Sequence, residues 1–152
     1  MGYVTREARQ QLLETVADAT DAIGVALAAL GAAYEQLDEH NADRLEQELF
    51  QPVQAAYGRA RRTHSRFAER HGLPARTFEP AVAGAPSHGV RGFLEIAVDA
   101  VGEADATLAD LQDSMMPVEV GDPELRAGLA EVRELVGDVR ERARQFVRTL
   151  GR

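Results

Sequence analysis

The chain has 152 residues, 45% of them apolar and 5% aromatic, with 28% charged and a formal net charge of −8. That is enough apolar chain for one domain with its own core, and too much to stay disordered at this charge. Cysteine and lysine are both absent, which excludes disulfides, thiolate metal sites, cysteine nucleophiles and Schiff-base chemistry.

Apolar residues recur at spacings of three and four almost throughout, the period of helices that pack at a shallow angle. The first predicted helix covers 5–38 and carries the series Leu12, Val16, Ala19, Ile23, Leu27, Leu30, Tyr34 and Leu37. Its small residues Gly24, Ala28 and Gly31 permit close helix approach. The longest uncharged apolar run, Ala22 to Tyr34, falls short of the roughly 18 to 20 residues of a membrane span. Arg6, Glu7 and Arg9 do not compose a signal peptide, so the expectation is a cytoplasmic protein with no membrane association.

The second helix is predicted over 41–71, with Leu45, Leu49, Val53, Tyr57, Ala60, His64, Phe67 and His71 on its stripe. Pro52 lacks a backbone donor and crowds the carbonyl four residues back, so a kink or a restart is expected there. Gly72 stops this helix, as Gly151 would stop the last. The connection 72–88 contains Pro74, Pro80 and Pro86. It could reach about 50 Å, against about 45 Å for a 30-residue helix, so both an up-down-up-down order and a crossover are open. Phe78 and Val82 are expected to plug one end of the core.

The third helix, 89–116, and the fourth, 122–150, keep a four–three alternation over about four heptads. Their series run from Val90 to Met115 and from Leu125 to Leu150. Asp122-Pro123-Glu124 supplies an N-cap, a first-turn proline and an early acid. Shifts of 81 and 79 residues superimpose Leu13, Ala19 and Leu30 on Leu94, Ala100 and Leu111, and Phe67 on Phe146, which suggests two related hairpins. The fold expected is an all-α, antiparallel four-helix bundle in a single domain.

Candidate chemistry was sought on this frame. Glu14/Asp18 and Glu95/Asp99 form an E-x-x-x-D pair on each of two helices, which resembles the metal-binding pattern of PhoU-type phosphate regulators. Their heptad phase turns them outward, so they are read as solvated acidic faces. No Glu stands three residues before a histidine, so the di-iron pattern is missing. Clustered acids such as Asp18/Asp21 and Glu35/Asp38 lie on one helix, unlike the two-helix cluster of MazG-like hydrolases. His64-Ser65-Arg66 departs from the phosphoacceptor motif of histidine phosphotransfer domains and points inward.

Tyr34, Tyr57 and His64 are polar groups on apolar stripes, and each needs a partner if buried. They could form one packing network or line a ligand pocket. Arg59, Arg62, Arg66 and Arg70 share one side of the second helix, and Arg126, Arg133 and Arg140 repeat every seven residues on the fourth. These could hold an anion, pair with the acidic first and third helices, or face a second subunit. Leu13, Val25, Ile96, Val98, Leu135 and Val147 lie beside the strict core stripes and suggest an oligomer interface. The expectation is a non-enzymatic, homodimeric interaction or scaffold module, without cofactor, metal or nucleic acid and open to a protein partner. The alternative is a small-molecule- or anion-binding regulatory bundle using Tyr34, Tyr57, His64, Arg59, Arg62 and Arg66.

Overall fold

A computed structural model of the protein describes residues 5–79 and 81–150. The described residues are helical, with no strand among them. Helix α1 (Arg6–Glu35) is started by Thr5, whose hydroxyl accepts from the Ala8 amide at 3.1 Å. Its buried face follows the expected stripe at Leu12, Val16, Ala19, Ile23 and Leu30, but takes Ala26 and Ala33 where Leu27 and Tyr34 are expected. The buried positions thus keep a strict four–three alternation, and Tyr34, one residue off it, is turned outward to 38% exposure. By length and composition α1 could cross a membrane, contrary to the count of uncharged residues; 56% of its most apolar stretch is buried inside the fold.

The second predicted helix begins two residues early, as α2 (Glu39–Leu45), and runs without a break into α3 (Gln51–Arg70). Between them Glu46–Phe50 forms a π-helical turn, closed by the Gln51 amide donating five residues back to Glu46. The irregularity expected at Pro52 is therefore absorbed in the turn before it, where the widened backbone accommodates the ring. Pro52 cannot donate to the Glu48 carbonyl; Arg142 does instead, at 3.3 Å. At the other end of α3, Gly72 adopts φ +64° and the Leu73 amide reaches back to the Ala68 carbonyl at 2.8 Å, a Schellman stop that tucks Leu73 into the core.

Three ties then mark the path of the connection that follows. Arg6 donates to the Gly72 carbonyl, Arg76 pairs with Asp21, and Gln36 donates to the Pro86 carbonyl. The connection thus follows α1 from its first turn to just past its last. It lies along the outside of the fold rather than over an end, so Val82 meets no core and is 94% exposed, contrary to expectation. Phe78 is half-buried.

After a 3₁₀ turn at Pro86–His88, α4 (Gly89–Asp113) ends three residues short of its predicted limit. Met115, expected on the core stripe, instead takes a left-handed φ of +65° and is 52% exposed. The short α5 (Met116–Val120) follows. Asp122 caps α6 (Pro123–Val136) by accepting from the Leu125 amide. The predicted single fourth helix is in fact two, because Gly137-Asp138 interrupts it before α7 (Val139–Thr149). Glycine gains little from helical backbone and costs about 1 kcal/mol relative to alanine. The heptad phase survives the break: Leu125, Leu129, Val132, Val136, Val139, Ala143 and Phe146 are all buried. Gly151 lies outside the described residues.

Helix α1 packs along α4 and α3; α3 packs on α6; α4 also meets α6 and α7. Phe67, Phe93 and Phe146 are fully buried with leucines from α1, α2, the π turn, α4 and α6. The α3–α6 seam is tight at one point, since a Cβ at Gly128 would overlap the Thr63 hydroxyl.

Candidate functional site

The six residues singled out in the sequence are distributed over the fold. His64 lines a cavity with Leu13 and Ala17, Tyr57 packs on Gly24, and Tyr34 stands in the last turn of α1. Ala17 and Tyr34 are about 25 Å apart along the helix axis. No hydrogen bond joins the two tyrosines and the histidine into a network. Tyr57 lies under the Arg61 guanidinium, 4.8 Å from its ring centre.

The arginines of α3 are closer together. Arg59 pairs with Glu131 at 2.6 Å, and Arg62 reaches back over Gly58. Arg66 is exposed beside a cavity of about 160 Å³ that it lines with Arg59, Thr63 and Arg70. Arg70 is already committed: two of its N–H groups donate to Asp122 at 2.8 and 2.9 Å, and a third to Glu124 at 2.6 Å. Asp122 is only 5% exposed and also meets His71 Nε2 at 3.0 Å. Burial alone would raise its pKa, but the Leu125 amide, Arg70 and His71 outweigh that and hold it below the ordinary 3.8. The sequence marks Asp122 only as a helix cap. Its role as a clamp between the end of α3 and the start of α6 depends on a contact across 52 residues.

His64 is 2% exposed, and its Nδ1 is sealed from solvent with no hydrogen-bond partner. Burial, and then the nearby Arg76 charge, push its pKa below 6.5, with Asp21 opposing them. The ring therefore sits neutral, edge-on to Phe78 at 5.0 Å between centroids. The adjoining cavity, about 300 Å³, is rimmed by Gln10, Glu14, Asp18 and Arg76. Glu14, Asp18, Glu95 and Asp99 are all exposed, as their heptad phase implies, and no metal-holding group of three or more His, Asp or Glu occurs among the described residues.

The largest concavity lies elsewhere, between α4 and α7. It measures about 590 Å³ and has an apolar floor of Leu94, Val98, Ala143 and Val147. One wall carries Glu95 and Asp99 from α4, the other Arg140, Arg144 and Arg148 from α7, with Arg91 at one end. A second hollow of about 490 Å³ shares Val98, Asp99 and Arg140 and continues past Val101 and Val136 toward Asp105. The walls do not neutralise each other. Arg144 and Arg148 reach only Glu141 on their own helix, at 3.3 and 3.8 Å, and none of Arg91, Arg140, Glu95 and Asp99 joins an ion pair among the described residues. By contrast Arg133, one heptad before Arg140, pairs with Asp105 on α4 at 2.9 Å. The sequence marks Val98, Val147 and Arg140 separately, but not the charge opposition between α4 and α7.

Comparison with protein-family models, curated proteins and solved structures finds no match for this chain.

Proposed function

We propose that the protein is a non-enzymatic interaction module that works as a homodimer, with the α4–α7 groove as its two-fold interface. One observation carries this reading: an apolar floor lies between an acidic wall and a basic wall that leave each other unpaired. A two-fold interface brings one surface patch against itself. It sets the α7 arginines of one copy over Glu95 and Asp99 of the other, and it covers Val98 and Val147.

The architecture that goes with this reading is an antiparallel four-helix bundle of α1, α3, α4 and α6–α7. The ties of Arg59 to Glu131 and Arg70 to Glu124, of Arg133 to Asp105, and of Gln36 to Pro86 support antiparallel neighbours, with 72–85 as a crossover. Leu13 with Leu94, Ala19 with Ala100, Leu30 with Leu111 and Phe67 with Phe146 are all buried, which supports two related hairpins. A cytoplasmic bacterial setting fits the cysteine-free, arginine-only composition.

Sedimentation equilibrium tests the dimer, with twice the chain mass expected at micromolar concentration. Val98→Glu should yield a monomer with unchanged far-ultraviolet circular dichroism. Arg140→Glu should weaken the dimer at least tenfold, and adding Asp99→Arg should recover part of the loss. A wild-type monomer at 100 μM overturns the reading.

The second reading, a small-molecule- or anion-binding regulatory bundle, rests on the cavity lined by Arg66, whose guanidinium joins no ion pair among the described residues. Stabilisation by inorganic phosphate that Arg66→Gln abolishes would favour it; no thermal shift would remove it.

A further inference from the structure

The connection between α3 and α4 is fastened to α1 by Arg76 and to α3 by Phe78, and both fastenings converge on His64. Arg76 donates to both carboxylate oxygens of Asp21, at 2.8 and 2.6 Å, while its guanidinium lies 4.8 Å over the Phe78 ring. Phe78 in turn stands edge-on to the His64 imidazole at 87°. The order of contact is α1 carboxylate, connection guanidinium, connection aromatic ring, α3 imidazole. The imidazole is the only one of the four enclosed by the fold, and its Nδ1 is buried without a hydrogen-bond partner in the protein.

From this geometry we infer that residues 73–85 form a pH-released strap, which His64 holds closed while neutral and frees when it takes up a proton. An imidazolium at this position has no acceptor at Nδ1 and stands under a ring that already carries a guanidinium on its face. The charged groups around it come from two elements. From α1, Glu14 and Asp18 rim the adjoining cavity and Asp21 acts at longer range; from the strap comes Arg76. Asp21 is occupied by Arg76, and Glu14 and Asp18 are exposed and screened by solvent. None of these carboxylates offsets the burial of a new charge. Lifting the strap exposes the ring, lets the proton be hydrated and uncovers the α1–α3 groove at Leu13 and Ala17. Burial and the Arg76 charge already depress the His64 pKa in the closed state, in agreement with this direction.

The sign follows from linkage. With the closed-state pKa below the open-state value of about 6.5, the closed strap is fully favoured above pH 6.5. That advantage shrinks as the pH falls below 6.5 and ends once the closed-state pKa is passed. For one proton the open population rises by at most about tenfold between pH 7.5 and 5.5.

Thermolysin cutting of the full chain before Leu73 and Phe78 tests this, because cleavage through a transient opening follows the open population. Rates are divided by those of a free 72–86 peptide at each pH, with cuts in α6 before Leu129 reporting global unfolding. The expected result is a rise in strap cutting from pH 7.5 to 5.5, by up to about tenfold, with α6 cutting unchanged. A flat wild-type profile overturns the proposal. His64→Gln should remove the rise, and a His64→Gln strap that still responds overturns it. Should that variant not fold, wild-type nuclear magnetic resonance decides. His64 titrating below pH 6.5 together with displacement of the Phe78 ring signals supports the strap; titration with Phe78 undisturbed overturns it. Asp21→Asn should raise cutting at both pH values and leave their ratio no smaller, since it loosens the strap and removes a charge that raises the closed-state His64 pKa; loss of the ratio overturns the assignment to His64.

Discussion

The α3–α6 seam and the α4–α7 seam are built from the same materials and end in opposite states. Along α3–α6, Gly128 lets Thr63 approach closely, Arg59 meets Glu131, and Arg70 and His71 close on Asp122. Along α4–α7, arginines and carboxylates face each other across about 590 Å³ without pairing. The difference teaches that charge composition does not determine a bundle's contacts. Arg133 on α6 reaches Asp105 on α4, whereas past the Gly137-Asp138 break no arginine of α7 pairs with a carboxylate of α4 among the described residues.

The strongest way to break the comparison is Asp122→Ala. It removes the cap of α6 and leaves Arg70 and His71 without their shared acceptor, so it should cost about 3 kcal/mol in urea unfolding. Gly128→Ala should cost about 1–3 kcal/mol by the same assay, because Thr63 is β-branched and cannot swing aside. Asp122→Asn sharpens the point through pH. The native carboxyl is held below 3.8, so its stabilisation is complete above that value and is lost as pH falls through the native pKa. The variant should therefore show a flatter acid limb in thermal melts below pH 4. In the open seam, Arg140→Gln should change monomer stability by no more than about 0.5 kcal/mol while weakening self-association.

How much of this was legible in the sequence varies by element. The all-helical class, the Gly72 stop and the Asp122 cap were readable, because each depends on residues within one or two turns. The heptad of 125–150 located the core face correctly and still concealed the Gly137-Asp138 break, since the buried positions keep the four–three alternation across it. The α1 stripe held at Leu12, Val16, Ala19, Ile23 and Leu30 and missed at Leu27 and Tyr34, where larger side chains stand one residue beyond the small Ala26 and Ala33 that keep the alternation. Val82 was placed in the core on hydrophobicity alone, which carries no information on the path of a proline-rich connection. The candidate site was legible as residue types and not as a place. Val98, Val147 and Arg140 were noted individually, but their meeting depends on α4 and α7, which are distant in the chain.

The long connection also bears on how the chain is made. The partner that α1 packs along most extensively is α4, which begins about 54 residues after α1 ends. At a synthesis rate of roughly 5–20 residues per second, the alanine face of α1 waits several seconds on the ribosome before α4 exists. During that interval α2 and α3 can cover only part of it. Contacts of such sequence separation slow folding relative to a bundle of adjacent hairpins. The nascent α1, apolar enough to enter a membrane, is therefore the segment most in need of a chaperone until α4 arrives.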